Sequence, residues 1–478
     1  MPRSLTRRGR TAWLVGCLAL LTCWTVTGSA GAAGNIDWSG YLHGSAHSSA
    51  AFGDTAINSS NATSLHAAWH FTPSAALTGQ PKAALDASPT VSGGVVYIGS
   101  RTGMFYALNA ATGALVWKRQ LDFGSHAVCS AKGIVGTTTV GTDPVDGTLT
   151  VYTPGAHFLY ALKASDGTVR WQTAIGPATS SGAALYFNWA SPTVAGGRIF
   201  MGLAANCESH LIRGGVVSLD QHTGTLQHTY LAVPAGVVGA SVWSSEASDG
   251  TSVWATTGNP DPNGTQVYDS YSIVRLSAST LAKVEKWTVP AAQNADLDFG
   301  SSPTLFQSST GPVTNMIAAC NKNGVLYAWP QTGLANGPIW QRQISNSGAD
   351  GSSCITSPAY DGPSKLLIVA ANGTTIRGTS FTGAVRALDP STGSVIWEQG
   401  LPCAVMGSPA INATTHLVAV PLSGCGTTAS SGVRLLNELT GAPLATLSAT
   451  SSIFAQPVFA EGRLYVASEK GGLTAYAP

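Results

Sequence analysis

Charged residues are scarce in this chain of 478 residues, because Asp, Glu, Lys and Arg together make up only 10% and the net charge is +1. This balance excludes a basic surface for nucleic acid, and it provides no electrostatic attraction to an anionic membrane. After the first residues there is no long apolar run, so we expect no transmembrane segment. Glycine, in contrast, is abundant, with 55 residues.

Residues 1–33 have the features of an export signal. Four arginines precede an apolar run at 12–26, and small residues that suit cleavage follow up to Ala33. The run has about 15 residues, which is too short for a comfortable transmembrane span. Cys17 falls too early in the run for a typical lipoprotein site, so we expect secretion, with a lipid anchor as the alternative. The mature protein, residues 34–478, is therefore expected to be soluble and extracytoplasmic.

Internal repeats are the most informative feature of the sequence. The segments 95–121 and 383–401 each contain a strand of alternating apolar residues, an Ala-Leu-Asx turn, a Thr-Gly pair and a strand with a tryptophan. A second marker, such as "ASPTV" at 87 or "SSPTL" at 301, precedes each copy, and "CSAKG" at 129 and "SSEAS" at 244 are degenerate forms of it. The count is eight units, each with four short strands.

Four-stranded units that repeat radially form the blades of a β-propeller, so the sequence predicts an all-β, eight-bladed propeller with antiparallel blades. The eighth copy stops before its tryptophan strand, and an isolated "SLHAAWHFT" at 64–72 resembles that missing strand. We therefore expect residues 64–72 to complete blade 8. Residues 34–478 would then form one closed propeller domain without an open sheet edge.

The register of the repeats predicts which side chains share a face. In each blade the four strands, A to D, run alternately up and down, so the B–C and D–A loops lie on one face, which we call the mouth. Asp298 lies in the D–A loop before blade 5, and Trp243 in the D–A loop before blade 4. Glu208, Asn259 and Lys322 lie in the B–C loops of blades 3, 4 and 5. Variable loops on a rigid scaffold are where function usually resides.

These five residue types suggest a chemistry. Two carboxylates and an amide carbonyl are hard oxygen ligands that suit Ca²⁺. A carboxylate beside such an ion could act as the general base on an alcohol. Lys322 could stabilise developing negative charge, and Trp243 offers a flat surface for a planar cofactor.

The repeat resembles the pyrroloquinoline quinone (PQQ) repeat, Ala-x-Asp-x-x-Thr-Gly-x-x-x-Trp, over nearly the whole mature chain. The segments 242–263, 296–303 and 320–329 are similar to the cofactor segments of quinoprotein alcohol dehydrogenases, in particular to the polyvinyl alcohol dehydrogenase branch. The segment "WSGYLHGSAHSS" at 38–49 resembles the N-terminal part of the same enzymes.

The resemblance implies a role for each candidate residue. Trp243 would form the stacking floor under PQQ, and Asn259 and Glu208 would bind Ca²⁺ together with Asp298. Asp298 would also be the base that takes the proton of the substrate hydroxyl during hydride transfer. Lys322 would contact the quinone oxygens. The substrate would be an alcohol, either a secondary alcohol or a polyol polymer.

The sequence departs from the family pattern in three places. Many of these dehydrogenases have two adjacent cysteines over the quinone, but the corresponding residues here are Cys129 and Ser130. The arginine expected shortly afterwards is replaced at best by Lys132. No Cys-x-x-Cys-His motif is present, so we expect no covalently attached haem c and a separate external electron acceptor.

Six cysteines remain after the signal, and the blade register pairs them. Of the fifteen ways in which six cysteines can form three disulfides, we predict the one that joins neighbours on the mouth side. The predicted pairs are Cys129–Cys207, Cys320–Cys354 and Cys403–Cys425. The ten histidines show no metal-ligand spacing and are interpreted as structural or exposed.

Two functions of different class are consistent with these observations. The first is a secreted PQQ- and Ca²⁺-dependent alcohol dehydrogenase. The second is a cofactor-free PQQ-like propeller that binds a protein or a polysaccharide through its mouth, because the same blades also build non-catalytic scaffolds. Carboxylates gathered around one point would favour the enzyme, and scattered carboxylates would favour the scaffold.

Overall fold

Short β-strands joined by glycine-containing turns make up most of the chain in a computed structural model. The structure describes residues 37–74, 83–124, 132–176, 185–207, 211–264, 266–290, 296–308, 310–346, 353–425 and 431–478. The predicted export signal lies outside these residues. Among the residues that are described, no helix has the length and the apolar character that a membrane-spanning segment requires.

The N-terminal part contributes a 3₁₀ helix, Tyr41–His43, and two strands that join distant sheets, β1 (Ala50–Ala51) and β2 (His66–Phe71). Blades 1 to 4 follow in chain order, each an antiparallel sheet. Their strands are β3 Thr90–Ser92, β4 Val95–Gly99, β5 Met104–Asn109 and β6 Leu115–Gln120; β7 Thr139–Thr142, β8 Leu149–Pro154, β9 Phe158–Lys163 and β10 Val169–Ala174; β11 Tyr186–Phe187, β12 Thr193–Ala195, β13 Arg198–Ala205, β14 Gly215–Asp220 and β15 Leu226–Leu231; and β16 Ala247–Ser248, β17 Ser252–Thr256, β18 Ser272–Ser277 and β19 Lys283–Thr288.

Blades 5 to 8 repeat the same arrangement, with a second 3₁₀ helix, Leu334–Asn336, inside blade 5. Their strands are β20 Thr304–Gln307, β21 Asn315–Cys320, β22 Val325–Pro330 and β23 Trp340–Gln343; β24 Ala359–Asp361, β25 Leu366–Ile376, β26 Thr379–Leu388 and β27 Val395–Leu401; β28 Ala410–Asn412, β29 Leu417–Leu422, β30 Gly432–Asn437 and β31 Pro443–Ser448; and β32 Val458–Ala460, β33 Arg463–Ser468 and β34 Gly472–Ala477. Strand β2 pairs antiparallel with β34 and is the outermost strand of blade 8. The predicted eight-bladed propeller and its closure are therefore confirmed.

The apolar core lies between neighbouring blades. One cluster joins Tyr97 and Phe105 of blade 1 to Val151 and Leu162 of blade 2, and similar clusters join the other blades. Each sheet therefore buries both of its faces, which explains the largely apolar B and C strands of the repeats. Because each blade depends on both of its neighbours, the ring has to close to be stable.

The tryptophan and the Thr-Gly turn of the repeat meet across five of the eight blade boundaries in the described part of the chain. The indole of Trp340 in blade 5 packs on Gly393 of blade 6, and its Nε1 donates a hydrogen bond to the Pro390 carbonyl at 3.0 Å. A Cβ on that glycine would lie only 2.4 Å from the indole ring. Four other boundaries have the same contact: Trp69 with Gly113, Trp117 with Gly167, Trp171 with Gly224 and Trp397 with Gly441. The repeat motif is thus an inter-blade contact rather than a feature of a single blade.

The second marker has a corresponding role around the central channel. The backbone N–H of its polar residue donates to the side-chain hydroxyl of the equivalent residue in the next blade, at 2.8–3.0 Å. The chain of donors and acceptors runs from Ser88 through Thr137, Ser191, Ser245, Ser302, Ser357 to Ser408, and Gln456 of blade 8 donates back to Ser88. These bonds satisfy backbone donors that are buried from water.

This ring of marker residues, in which seven of the eight boundaries have the hydrogen bond among the described residues, corrects one sequence assignment. The marker of blade 2 is "GTTTV" at 136–140, where Thr137 takes the place of the serine, rather than "CSAKG" at 129. Thr138 replaces the usual proline there, which hid the match. The assignment of "SSEAS" to blade 4 is consistent with the structure, because Ser245 belongs to the ring.

The N-terminal residues 37–51 follow the inner strands on the face opposite the mouth. Ser39, Ser45, Ala46 and Ser48 accept backbone hydrogen bonds from the inner strands of blades 2, 4, 5 and 6 in turn. Strand β1 then pairs in parallel with β28 of blade 7. The segment therefore crosses this end of the channel and links most of the blades.

We predict that Gly393→Ala destabilises the protein by about 2–4 kcal/mol, because a new methyl group must displace the Trp340 ring and occupy a left-handed backbone conformation. Gly393 has φ +66° and the indole is 2.4 Å from the position of that methyl group. Urea unfolding measures the loss.

Gly197→Ala is the matched control, since Gly197 has φ +73° but no atom within 4 Å of a Cβ. It should lower the free energy of unfolding only by the cost of placing alanine in a left-handed backbone conformation, about 1 kcal/mol. Equal losses in the two variants would show that the indole contact contributes little.

Candidate functional site

A cavity of about 290 Å³ opens at the mouth beside blades 3, 4 and 5. Ligand pockets start at roughly this size, about 300 Å³. Its lining combines two indoles with a group of charged and amide side chains. The lining residues are Trp189, Ala204, Ala205, Asn206, Cys207, Leu211, Ser241, Trp243, Asn259, Asp296, Asp298 and Lys322.

A buried ammonium group lies between the two carboxylates of this cavity. Lys322 Nζ is 2.7 Å from Asp298 Oδ1 and 2.6 Å from Asp296 Oδ1. Asp298 is only 2% exposed and Lys322 only 7%, whereas the side chain of Asp296 is 40% exposed. When both carboxyls are ionised, the three groups carry a net charge of −1. The cluster therefore suits a bound cation more than a bound anion.

Trp243 and Asn259 complete this network. Trp243 Nε1 donates to Asp298 Oδ2 at 3.0 Å, and the Lys322 ammonium lies 4.9 Å from the centre of the Trp243 ring. Asn259 Nδ2 donates to Asp296 Oδ1 at 2.9 Å. The indole is thus held by a hydrogen bond at one edge while its ring lines the cavity.

Backbone pairing fixes the loops that carry these side chains. The Lys322 N–H donates to the Asp298 carbonyl at 3.0 Å, and Phe299 pairs with Asn321 as an isolated bridge. In the neighbouring blade, the Ala240 N–H donates to the Asn259 carbonyl at 2.6 Å. The functional groups therefore extend from short, paired segments, which limits their freedom before a ligand binds.

The surroundings shift the pKa values of Asp298 and Asp296 in opposite directions. Burial raises the pKa of Asp298 to about 6, although Lys322 and the Trp243 N–H oppose this effect. Burial acts in the same direction on Asp296, but its hydrogen bonds from Lys322 and Asn259 prevail and lower its pKa. Burial lowers the pKa of Lys322, but the two carboxylates raise it more, so the ammonium stays charged. Asp298 is consequently the stronger base of the two.

The structure brings together four of the five candidate residues, Trp243, Asn259, Asp298 and Lys322, in this cavity. The fifth, Glu208, lies outside the described residues. The shared face was predicted from the blade register, and the observed cavity agrees with that expectation for the four that are described.

The cysteines follow the same register. The predicted disulfides Cys320–Cys354 and Cys403–Cys425 are confirmed. Cys207 lines the cavity and is also disulfide-bonded. Cys129, the partner predicted for Cys207, and its neighbour Ser130 lie outside the described residues.

Trp189 and Asp296 contact charged groups of the site, but the sequence did not assign them a role. Trp189 directly precedes the marker of blade 3, as Trp243 directly precedes that of blade 4, so a comparison of the two markers would have found it. Asp296 stands two residues before Asp298, and its link to Lys322 requires the folded loops. Lys132 also reaches this region, because its ammonium lies 4.3 Å from the centre of the Trp189 ring.

Comparisons with known proteins cover most of the chain. Residues 38–365 match the family described as the β-propeller domain of glucose/ethanol/alcohol dehydrogenase. Residues 381–478 match the family described as outer membrane protein assembly factor BamB. No curated protein matches the chain significantly.

Solved structures share the fold at low sequence identity. The quinohemoprotein alcohol dehydrogenase from Comamonas testosteroni is 17% identical, with a TM-score of 0.71 over 94% of this chain and 81% of that chain. A europium-containing methanol dehydrogenase is 16% identical, with a TM-score of 0.73 over 92% of this chain and 90% of that one. BamB from Moraxella catarrhalis is 17% identical, with a TM-score of 0.54 over 84% and 99% of the two chains.

We predict opposite pH effects on stability for the two carboxyls of the ligand-free protein. Between about pH 4 and pH 6 the folded state holds a proton on Asp298 that the unfolded state, with a pKa near 3.9, has lost. The free energy of unfolding of the wild type should therefore fall with rising pH relative to Asp298→Asn. Urea unfolding at several pH values, in the presence of a chelator, measures this difference.

Asp296→Asn is the control of opposite sign. Because the pKa of Asp296 is lowered in the folded state, the wild type should gain stability relative to this variant as pH rises towards 5. A difference between wild type and Asp298→Asn that does not change with pH would contradict the raised pKa of Asp298.

Proposed function

The chain belongs to the family of glucose/ethanol/alcohol dehydrogenase β-propeller domains, and from this premise we propose that it is a PQQ-dependent dehydrogenase that oxidises an alcohol with the assistance of Ca²⁺. The observation that carries the proposal is the cluster of Asp298, Lys322 and Trp243 at one cavity, where a buried carboxyl faces a fixed ammonium and a fixed indole.

The cavity fits a flat quinone with carboxylate groups when a cation such as Ca²⁺ offsets the net charge of −1 on the group of Asp296, Asp298 and Lys322. Trp189 and Trp243 both line this cavity and also the central channel beneath it, so their indoles form the boundary between the two spaces. A planar ring system gains stacking energy on such indoles. Lys322 and Lys132, which lie against the two rings, are cations suited to quinone oxygens and carboxylates.

The donor set also fits a hard cation. Asp298, Asp296 and Asn259 provide carboxylate and amide oxygens within one hydrogen-bonded network, and such oxygens are the ligands that Ca²⁺ prefers. The family resemblance adds Glu208 to this set. We infer that Asn259, Glu208 and Asp298 hold the ion, with Asp296 as a further carboxylate beside it.

The roles of the protein groups follow from their positions. When bound, PQQ would supply the two-electron acceptor for the alcohol. Asp298, whose pKa is raised to about 6, would accept the proton of the substrate hydroxyl. Trp243 holds Asp298 Oδ2 by a hydrogen bond, which leaves its carboxylate in one orientation. Lys322 would stabilise negative charge that develops on an oxygen beside it.

We also propose a class of substrate. The family name points to alcohols, and the sequence resemblance points to a secondary alcohol or a polyol polymer. No Cys-x-x-Cys-His motif is present for haem c, so we propose that electrons pass to an external acceptor. A panel of primary alcohols, secondary alcohols and polyvinyl alcohol, with an artificial electron acceptor, would separate these classes.

We predict that PQQ quenches the tryptophan fluorescence of the protein in a saturable manner, with one binding site, and that Ca²⁺ strengthens the binding. Trp243→Ala should weaken PQQ binding by about tenfold or more, since it removes a stacking contact of about 1.4 kcal/mol or more. Asp298→Asn should need more Ca²⁺, because it loses a charged ligand, but at saturating Ca²⁺ it should still bind PQQ and lose at least about 100-fold in the rate of alcohol oxidation, because the general base is absent.

Asp166→Asn is the matched control, because Asp166 is an exposed turn residue on the face opposite the mouth. It should leave both binding and oxidation unchanged. If the wild type binds no PQQ with or without Ca²⁺, the dehydrogenase proposal is wrong, and the scaffold that binds a protein or a polysaccharide becomes the better interpretation.

We also propose that the protein is exported, with residues 1–33 as the signal. The disulfides Cys320–Cys354 and Cys403–Cys425 support this, because stable disulfides form in oxidising compartments. Expression of the full chain with N-terminal sequencing of the secreted product should give a mature N-terminus near Ala33 or Gly34. Retention of the full-length chain in the cytoplasm would contradict the proposal.

A further inference from the structure

Three side chains meet between blades 6 and 7 on the face opposite the mouth. Asp361 ends β24, the inner strand of blade 6, while His416 directly precedes β29 and Glu438 directly follows β30 in blade 7. Their potential ligand atoms all lie within 4.8 Å of one another. The group is therefore far from the mouth in the blade topology and does not take part in the site described above.

Two of these side chains are buried carboxyls, and of their four oxygens only Glu438 Oε2 has a hydrogen-bond partner outside the pair in the described part of the chain, His416. Asp361 and Glu438 are both 0% exposed. No other described donor group reaches either oxygen of Asp361 or Glu438 Oε1, and the two carboxyls face each other closely enough to share a proton. Among the described residues, no lysine or arginine forms an ion pair with them, and His416 is the basic partner that Glu438 contacts. Buried carboxyls are normally paired or bound to a metal.

His416 completes a set of ligands and gives access to it. Its Nδ1 is 3.1 Å from Glu438 Oε2, and its side chain is 41% exposed. Two ligands about 2.0–2.1 Å from one tetrahedral ion lie about 3.3 Å apart, so the observed distance suits neighbouring ligands of one metal ion. The exposed edge of the imidazole provides a route for an ion from solvent.

The repeat shows that Glu438 is not needed to build the turn. The equivalent position, two residues after the last leucine of the C strand, is Ala110 in blade 1, Ala164 in blade 2, Ala278 in blade 4 and Pro390 in blade 6. Its carbonyl accepts the indole N–H of the preceding blade where the residue is Ala110, Ala164 or Pro390, just as Glu438 accepts from Trp397. The carboxyl is thus an addition to the blade that the fold itself does not require.

A second group of acidic residues on the same face is neutralised by an arginine instead. Asp143 and Asp146 of blade 2 lie near His222 of blade 3, but there Arg170 Nη2 contacts the two carboxylates at 3.0 and 2.6 Å. A guanidinium therefore supplies the positive charge between blades 2 and 3. Between blades 6 and 7 the described residues supply no such group.

We propose that Asp361, Glu438 and His416 bind one divalent transition-metal ion, with Zn²⁺ as the representative, and that this ion links blades 6 and 7. Two carboxylate oxygens and one imidazole nitrogen are a ligand set typical of Zn²⁺, whereas Ca²⁺ and Mg²⁺ prefer oxygen alone. Water would fill the fourth position.

The test uses the full-length protein purified without a histidine tag, stripped with a chelator, reloaded with Zn²⁺ and dialysed. Elemental analysis should find one equivalent of zinc in the wild type. Glu438→Ala, which copies the residue of blades 1, 2 and 4, should lose that equivalent, and so should the isosteric Asp361→Asn. The melting temperature should rise with Zn²⁺ in the wild type and stay constant in both variants.

His222→Ala and Asp298→Asn are the controls, because they change the blade 2–3 cluster and the mouth, and both should keep the zinc. X-ray absorption of the wild-type protein should show one imidazole and oxygen ligands, a readout that needs no variant to fold. The proposal is overturned if the wild type retains no more zinc than Glu438→Ala, or if Asp298→Asn alone removes it. It is also overturned if Zn²⁺ leaves the wild-type melting temperature unchanged.

Discussion

The contact between neighbouring blades is the constraint on which the rest of the structure depends. At the outer edge an indole such as Trp340 fits against a glycine such as Gly393, and around the channel backbone N–H groups donate to hydroxyls of the next blade. Each contact fixes the angle between two sheets. Because eight such angles have to add up to a full circle, one poorly fitting boundary affects every blade, and strand β2 is needed to close the ring.

This rigidity is what allows a site to be assembled from separate loops. Trp243, Asn259, Asp298 and Lys322 come from four loops of two blades, yet they form one connected network of hydrogen bonds and ion pairs. Each of these four residues comes from a different loop, and only the loop of Asp298 contributes a second residue, Asp296, to the network. The positions of the side chains therefore depend on the blades rather than on the loops, and a substitution at a blade boundary can disturb the mouth without touching it.

The fold could be predicted from the sequence almost completely, because each blade repeats its inter-blade contacts as visible motifs. The prediction was wrong only where a motif residue was replaced, as where Thr138 replaces proline in blade 2. The grouping of mouth residues followed from strand alternation alone. Trp189 was missed although its position repeats that of Trp243, whereas the contact of Asp296 with Lys322 depends on loop conformations that no periodicity encodes. The path of residues 37–51 is likewise irregular and has no repeat to reveal it.

Because charged residues are so scarce in this chain, each buried carboxyl marks a place where a positive charge or a proton is needed to balance it. At the mouth, Lys322 balances Asp298 in part, and between blades 2 and 3 Arg170 balances Asp143. Sequence spacing concealed the blade 6–7 group, since its three residues come from three turns of two blades. A carboxyl pair buried there without lysine or arginine is stable only with a proton or a cation between its members. The proximity of His416 favours the cation, because an imidazole nitrogen adds a third ligand at the one side that solvent can reach.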